Sequence, residues 1–201
     1  MIKNYIFDFG NVLAEYYPDK LTAPFVKDEE TNKRIREVVF DRLYWDKLDS
    51  GDITDDEVKN GICSRLSEED GKIACLVYDN WVKSMTPVKD MEKLIKEIHN
   101  SGNKLFLLSN ISIGFAQTYS EVKWIKELLD NFDGIVLSGT IRKTKPNKDI
   151  FVHLLKEFNL NSNECLFIDD SPVNIRGAKV VGIEGYIFDG NVQKLREFLG
   201  F

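Results

Sequence analysis

Residues 5–13 read YIFDFGNVL, and they raise the question that decides the fold: why an apolar run drops a carboxylate, Asp8, where it meets a glycine. The run Tyr5-Ile6-Phe7 has the composition of a buried strand. Open α/β sheets bind their ligands at the carboxyl ends of strands, so an Asp emerging there is placed for chemistry. Gly10 is expected to turn the chain sharply just beyond it. Taken alone, Asp8 and Asn11 have a plainer and commoner role as loop caps. The rest of the chain has to decide between the two.

From Pro87 onward, strand-like and helix-like stretches alternate. In VKDMEKLIKEIHNSG, residues 88–102, the residues Met91, Leu94, Ile95 and Ile98 fall at helical spacing and Gly102 stops the pattern. KLFLLSN at 104–110 is a strand, followed by a helical stretch from Phe115 to Leu129 and a strand GIVLSG at 134–139. A helix carrying Ile150, Phe151, Leu154, Leu155 and Phe158 leads to the strand CLFIDD at 165–170. A helix around Ile175 to Val181 and the strand GYIF at 185–188 complete the set. Repeated βα units with near-continuous apolar strands predict an α/β fold, a parallel sheet covered by helices on both faces.

Residues 16–86 read differently, with several helical patterns and no strand. Ile35, Val38, Val39 and Leu43 suggest one amphipathic stripe, the capping box TDDE at 54–57 opens a second with Val58, Ile62 and Leu66, and Ser67 with Asp70 opens a third. The expected organisation is therefore a core of residues 1–15 and 87–201 with a helical cap, 16–86, inserted between them. Hinges are expected near Tyr16–Asp19 and Ser84–Pro87, making the insertion a lid over the sheet edge.

Composition narrows the partners. The 201 residues are 43% apolar, enough for a sizeable core, and 27 basic against 33 acidic residues give a net charge of −6. That balance argues against a surface that tracks nucleic-acid phosphates and favours a small-molecule partner. Cys63, Cys75 and Cys165 are odd in number and widely spaced, suggesting neither a zinc site nor a disulfide framework. No signal-like apolar core and no run of about 18 apolar residues is present, so a cytoplasmic location away from membranes is expected.

Three later strands also end in polar groups. LFLLSN delivers Ser109 and Asn110, CLFIDD delivers Asp169 and Asp170, and the loop after GIVLSG carries RKTKP with Lys145. In a parallel sheet these termini share one edge with Asp8. Carboxylates meeting there repel unless a proton or cation joins them, and all-oxygen donors of this kind suit Mg²⁺. Asp8 and Asp170 are the expected ligands, with the Gly10 carbonyl as a third and Asp169 in a supporting role. The Ser109 hydroxyl, the Asn110 N–H and the Lys145 ammonium together match the oxygens of a phosphoryl group, with Arg142 and Lys143 as rival cations. His99 and His153 lie inside helical patterns, and Trp45, Trp81 and Trp124 are expected to pack rather than stack on a ligand.

With these residues in hand, the chain resembles the haloacid dehalogenase (HAD) superfamily along essentially its whole length. FDFGNVL is similar to its first motif, LLSN to its second, KTKPNKDIF to its third and FIDDSPVNIRGA to its fourth. The resemblance implies a Rossmann-like core with a helical cap after the first motif. It further implies Asp8 as nucleophile, Ser109 and Lys145 on phosphate, and Mg²⁺ on Asp8, the Gly10 carbonyl and Asp170. Asn174 falls where the fourth motif often has a second acid. Gly10 departs from the pattern, because most phosphatases of the superfamily carry an Asp there as general acid and base. FDFGNV and the GDITDDE of the insertion resemble instead a bacterial branch that includes α-D-glucose-1-phosphate phosphatases.

The function expected from the sequence is a Mg²⁺-dependent phosphatase of small phosphomonoesters, with sugar phosphates favoured, acting through an aspartyl phosphate. The alternatives are a dehalogenase, in which the same Asp attacks carbon, and a binding or regulatory protein on the same scaffold.

Overall fold

The computed structural model describes residues 2–201. The chain begins with β1 (Asn4–Phe7) and a two-residue strand β2 (Ala14–Glu15), then runs through five helices, α1 (Pro18–Thr22), α2 (Glu29–Val39), α3 (Arg42–Asp49), α4 (Asp55–Ser64) and α5 (Glu68–Asn80). It returns through β3 (Thr86–Pro87), which pairs antiparallel with β2. There follow α6 (Met91–Asn100), β4 (Lys104–Ser109), α7 (Ile113–Thr118), α8 (Lys123–Leu129), β5 (Gly134–Leu137) and the short α9 (Ser138–Ile141). The chain ends with α10 (Lys148–Glu157), β6 (Cys165–Asp169), α11 (Pro172–Val180), β7 (Glu184–Ile187) and α12 (Val192–Leu199).

The main sheet has five strands in the order β5-β4-β1-β6-β7, every pairing parallel. Side chains alternate across it with the two-residue period of a strand. Ile6, Phe106, Leu108 and Phe167 enter a core beneath α10 and α11, while Tyr5, Phe7, Leu105, Leu107 and Ile168 enter the opposite core with Leu94, Ile98 and Ile125. Both faces are therefore buried, as continuous apolar strands require.

Register delivers the polar residues together. Phe7 pairs with Leu107 on one side and Ile168 on the other, so Asp8 emerges beside Asp169, and Ser109 ends β4 on the other flank. The Asp8 N–H extends the ladder by donating to the Ile168 carbonyl at 2.9 Å.

The helices between β2 and β3 start where their side chains can satisfy free N–H groups. Thr54 and Glu57 form the reciprocal capping box of α4, and the Ser67 hydroxyl accepts from the Asp70 N–H at the start of α5. Leu43 corrects the expected stripe: it is 55% exposed and lies not on α2 but on α3. Asp41 interrupts the pattern by accepting from the Leu43 N–H at 2.9 Å, which starts a new helix in a new direction. The single helix expected over 115–129 is likewise two, α7 and α8, joined by a 3-10 turn at Tyr119–Glu121. Pairing of α4 with α5 brings the thiols of Cys63 and Cys75 to 3.1 Å, both free. No helix among the described residues is long and apolar enough to cross a membrane.

Two glycines make a useful contrast. A Cβ at Gly177 on α11 would lie 2.3 Å from the Pro146 carbonyl oxygen, so only glycine lets this helix approach the loop that carries Lys145. A Cβ at Gly10 would meet nothing closer than 3.8 Å, and the residue with positive φ is its neighbour Asn11, at 55°. The sharp turn expected at Gly10 is made by Asn11, where an Asx side chain tolerates the left-handed region. Gly177→Ala is accordingly expected to cost about 1–3 kcal/mol through overpacking, and Gly10→Ala to stay within about 0.5 kcal/mol of wild type. Urea unfolding of both variants checks this.

Candidate active site

At the carboxyl edge of the sheet one cation holds two acids. Lys145 Nζ lies 2.8 Å from Asp8 Oδ1 and 2.8 Å from Asp169 Oδ2. All three residues are buried, with Lys145 4% exposed, Asp8 9% and Asp169 0%. Charges so removed from water persist only when paired and hydrogen-bonded. Asp169 meets that condition fully, accepting also from the Ser171 N–H at 2.7 Å and from Asn174 Nδ2 at 3.1 Å on each oxygen. Those contacts use the lone-pair capacity of a carboxylate. Asp8 Oδ1 accepts from the Phe9 N–H at 2.7 Å as well as from Lys145, while Oδ2 has no protein partner among the described residues.

Lys145 is presented by a locked loop. Its N–H donates to Asn110 Oδ1 at 2.8 Å, and Asn110 Nδ2 donates back to the Lys145 carbonyl at 2.9 Å. The peptide bond to Pro146 is cis. Asn110 thus enters the site through its side chain, a use the sequence did not suggest. Its own N–H and the Ser109 hydroxyl donate no hydrogen bond within the described residues. Of the three rival cations only Lys145 is buried; Arg142 and Lys143 are not.

Asp170 is partly open to solvent and accepts from Asn11 Nδ2 at 3.3 Å. Asn11 accepts in turn from the Tyr16 N–H at 3.1 Å, tying the first loop to the end of β6. The carboxylates of Asp8, Asp169 and Asp170 lie within 4.8 Å of one another. The Gly10 carbonyl accepts no backbone hydrogen bond, since its neighbours Phe9 and Ala14 supply the acceptors of that turn.

The electrostatics follow. Burial raises the Asp8 carboxyl above its ordinary range; Lys145 pulls against this and Asp169 reinforces it. Burial likewise opposes the Lys145 charge, but Asp8 and Asp169 outweigh it and hold the ammonium above its usual value. Asp170 is raised by burial and then by the charge of Asp169. Glu15, the one carboxylate of the first loop downstream of Gly10, is engaged elsewhere: it pairs with Lys20 at 2.9 Å and accepts from Thr86, which hold it below the usual carboxylate range. His99 contacts the Asn131 carbonyl and His153 pairs with Glu157, both away from this edge.

A doubly covered parallel sheet with an aspartate, a buried lysine and an acid pair at its carboxyl edge is an α/β fold whose site is centred on a carboxylate. The chain belongs to the haloacid dehalogenase-like hydrolases, whose family model matches residues 2–182. A D-ribitol-5-phosphate phosphatase of Bacteroides thetaiotaomicron is 30% identical over 201 residues, covering 92% of this chain and 91% of its own. A sesquiterpene phosphatase of Aspergillus oryzae is 25% identical over 198 residues, covering 97% and 95%. Among solved structures, a HAD family enzyme of Bacteroides thetaiotaomicron in complex with magnesium and inorganic phosphate superposes with a TM-score of 0.69 at 23% identity, covering 95% and 96% of the two chains.

Removing the shared cation tests the electrostatics. Lys145→Met leaves buried carboxylates without a counter-charge, a loss of roughly 3–5 kcal/mol at neutral pH. The Asp8 carboxyl, already raised, rises further, so the folded variant binds a proton that the unfolded chain does not. Its stability must therefore fall as pH rises from the unfolded to the folded pKa. Unfolding at pH 5 and pH 8 should show the smaller deficit, relative to wild type, at pH 5.

Proposed function

We propose that this hydrolase is a metal-dependent phosphatase of small phosphomonoesters, with Asp8 as the nucleophile that forms an aspartyl phosphate. The observation that carries the reading is the single buried ammonium of Lys145, 2.8 Å from both Asp8 and Asp169, beside an open second acid, Asp170. In this reading Oδ1 of Asp8 is held by Lys145 and the Phe9 N–H, which leaves Oδ2 free of protein partners. Ser109 Oγ, the Asn110 N–H and Lys145 orient and neutralise the phosphoryl oxygens, groups aimed where negative charge grows in the transition state.

The residues fit a hard divalent cation: three carboxylates converge, Asp170 is partly open to solvent, Asp8 keeps an oxygen without a protein partner, and a free carbonyl follows Asp8 in the same loop. Asp8, the Gly10 carbonyl and Asp170 would hold Mg²⁺, which supplies neutralisation of phosphoryl charge. Asp169, saturated by Lys145, Ser171 and Asn174, serves as the anchor that positions the lysine, and Asn174 as the group that positions Asp169. Residues 16–86 act as the cap over the core of 1–15 and 87–201, joined to it through the β2–β3 ribbon.

The relative named for D-ribitol 5-phosphate supports sugar or sugar-alcohol phosphates as substrates. Phosphate release from a panel of phosphomonoesters, with Mg²⁺ or with EDTA, tests the reading. Release that requires the metal and is abolished in Asp8→Asn is the expected result; halide release from 2-haloacids in place of phosphate would instead make the chain a dehalogenase. Asp170→Ala should raise the Mg²⁺ concentration needed for half-activation far more than Asn174→Ala does. Equal shifts would move the metal away from Asp170.

A further inference from the structure

We propose that Asp49, at the end of α3, is the general acid and base of the reaction, occupying from the helical insertion the role for which position 10 has no side chain. The proposal rests on the phosphatase reading above. Asp49 lies one helical turn after Trp45 and so shares its face of α3. The Trp45 ring packs 5.9 Å from Tyr16 and 5.0 Å from Trp81, and Tyr16 Cβ is the atom nearest to the space a side chain at residue 10 would fill, at 3.8 Å. The face of α3 that carries Trp45 and Asp49 therefore packs on Tyr16, the residue that borders the vacant side-chain volume at position 10.

The segment after Asp49 is seated on the sheet edge. Gly51 has φ +72°, and a Cβ there would stand 2.7 Å from the carbonyl oxygen of Gly139, just beyond β5. Farther on, Asp55 closes against Gly114, whose Cβ would lie 3.0 Å from its carboxylate. Asp49 is thereby held where the insertion meets the carboxyl edge.

Arg142, whose Cγ would stand 3.4 Å from a Cβ at Gly51, is the cation beside the segment that follows Asp49. Arg42 and Asp46 on the same helix as Asp49 pair with each other at 2.9 Å, and across the interface Asp49 senses Asp8 and Lys145. Burial first, and then the charge of Asp49, raise the Tyr16 hydroxyl above its ordinary value. Among the described residues no hydrogen bond or ion pair holds the Asp49 carboxyl. Burial pushes Asp49 up to about 7, with Asp46 adding to the rise, Arg42 opposing, Asp8 adding and Lys145 opposing. A carboxyl in that range can give a proton and take one back at neutral pH. Glu15 cannot serve, being fixed on Lys20 and Thr86.

The steps balance. An Asp8 oxygen bonds to phosphorus as the bond to the ester oxygen breaks; that oxygen keeps the electron pair and takes the Asp49 proton. The Asp49 carboxylate then removes a proton from the water that attacks phosphorus, releasing Asp8 as a carboxylate and restoring protonated Asp49. Phosphates on the primary hydroxyls of sugars and sugar alcohols leave through basic alkoxides, for which such a proton matters most.

The experiment is kcat and kcat/KM for alkyl phosphates and for nitrophenyl phosphate, across pH, with wild type, Asp49→Asn and Asp49→Glu. The expected loss of kcat/KM in Asp49→Asn is on the order of 10²–10⁴-fold for alkyl esters and clearly smaller for the nitrophenyl ester, whose leaving oxygen needs little help, while kcat falls for both because hydrolysis of the aspartyl phosphate is common to them. Wild type should lose alkyl-ester activity as pH rises through about 7, a limb absent in Asp49→Asn and kept in Asp49→Glu. Equal losses of kcat/KM on both ester classes with the limb retained would mean a positioning role and overturn the proposal, as would wild-type rates in Asp49→Asn. Should Asp49→Asn fail to fold, an alkaline limb in the wild-type kcat/KM that is equally deep for alkyl and nitrophenyl esters overturns it. Wild type inert on every ester would sink the phosphatase reading itself.

Discussion

The ammonium of Lys145, buried between Asp8 and Asp169, is the contact around which this molecule is arranged. A lone buried carboxylate at a sheet edge would protonate or pull in water. Two of them are tolerable because one lysine from a third loop reaches both. That demand explains the locked loop at Asn110, the glycine that lets α11 close on Pro146, and the saturation of Asp169 by Ser171 and Asn174. One cation against two neighbouring acids, with a third acid beside them, leaves negative charge in excess. An excess of that kind is what a divalent cation satisfies.

The helices between β2 and β3 are joined to the sheet by packing as well as by chain. Phe9, immediately after Asp8, meets Phe115 at 4.9 Å; Phe115 meets Trp81 at 6.2 Å, and Trp81 meets Trp45 at 5.0 Å. Aromatic contacts of this sort carry large buried areas with definite geometry. They run from the first loop into α5 and α3, so the position of α3 relative to Asp8 is set by the same residues that fill the core. The bare position at Gly10 follows from neither backbone strain nor crowding. Its absence of a side chain is thus a chemical feature of the loop, and it leaves open volume bordered by Tyr16.

Much of this was legible along the chain because the relevant patterns are local. Apolar strand runs, the helical spacing in 88–102, the capping box at Thr54 and the polar residues closing β1, β4 and β6 each occupy a few consecutive positions. A parallel sheet then compels those strand ends to one edge, which is how Asp8, Ser109, Lys145, Asp169 and Asp170 could be assembled from segments more than a hundred residues apart. Where local patterns misled, a capping side chain or turn residue had intervened: Asp41 ended the stripe that Leu43 seemed to continue, and Asn11 rather than Gly10 took the positive φ.

The sequence by itself determined the order of elements, the faces they bury and the acids and lysine that the sheet edge collects, because strand period, helix period and capping are properties of short segments. Tertiary structure alone decided which lysine of 142–146 is buried, that Asn110 holds its loop, that Asn11 bridges to Asp170, and that Asp49 comes within electrostatic reach of Asp8 and Lys145. These relations join residues far apart in the chain whose local surroundings are ordinary. Only the packing of α3 on Tyr16 and of Gly51 on Gly139 brings Asp49 to that edge, and no spacing in the sequence encodes a contact between two layers.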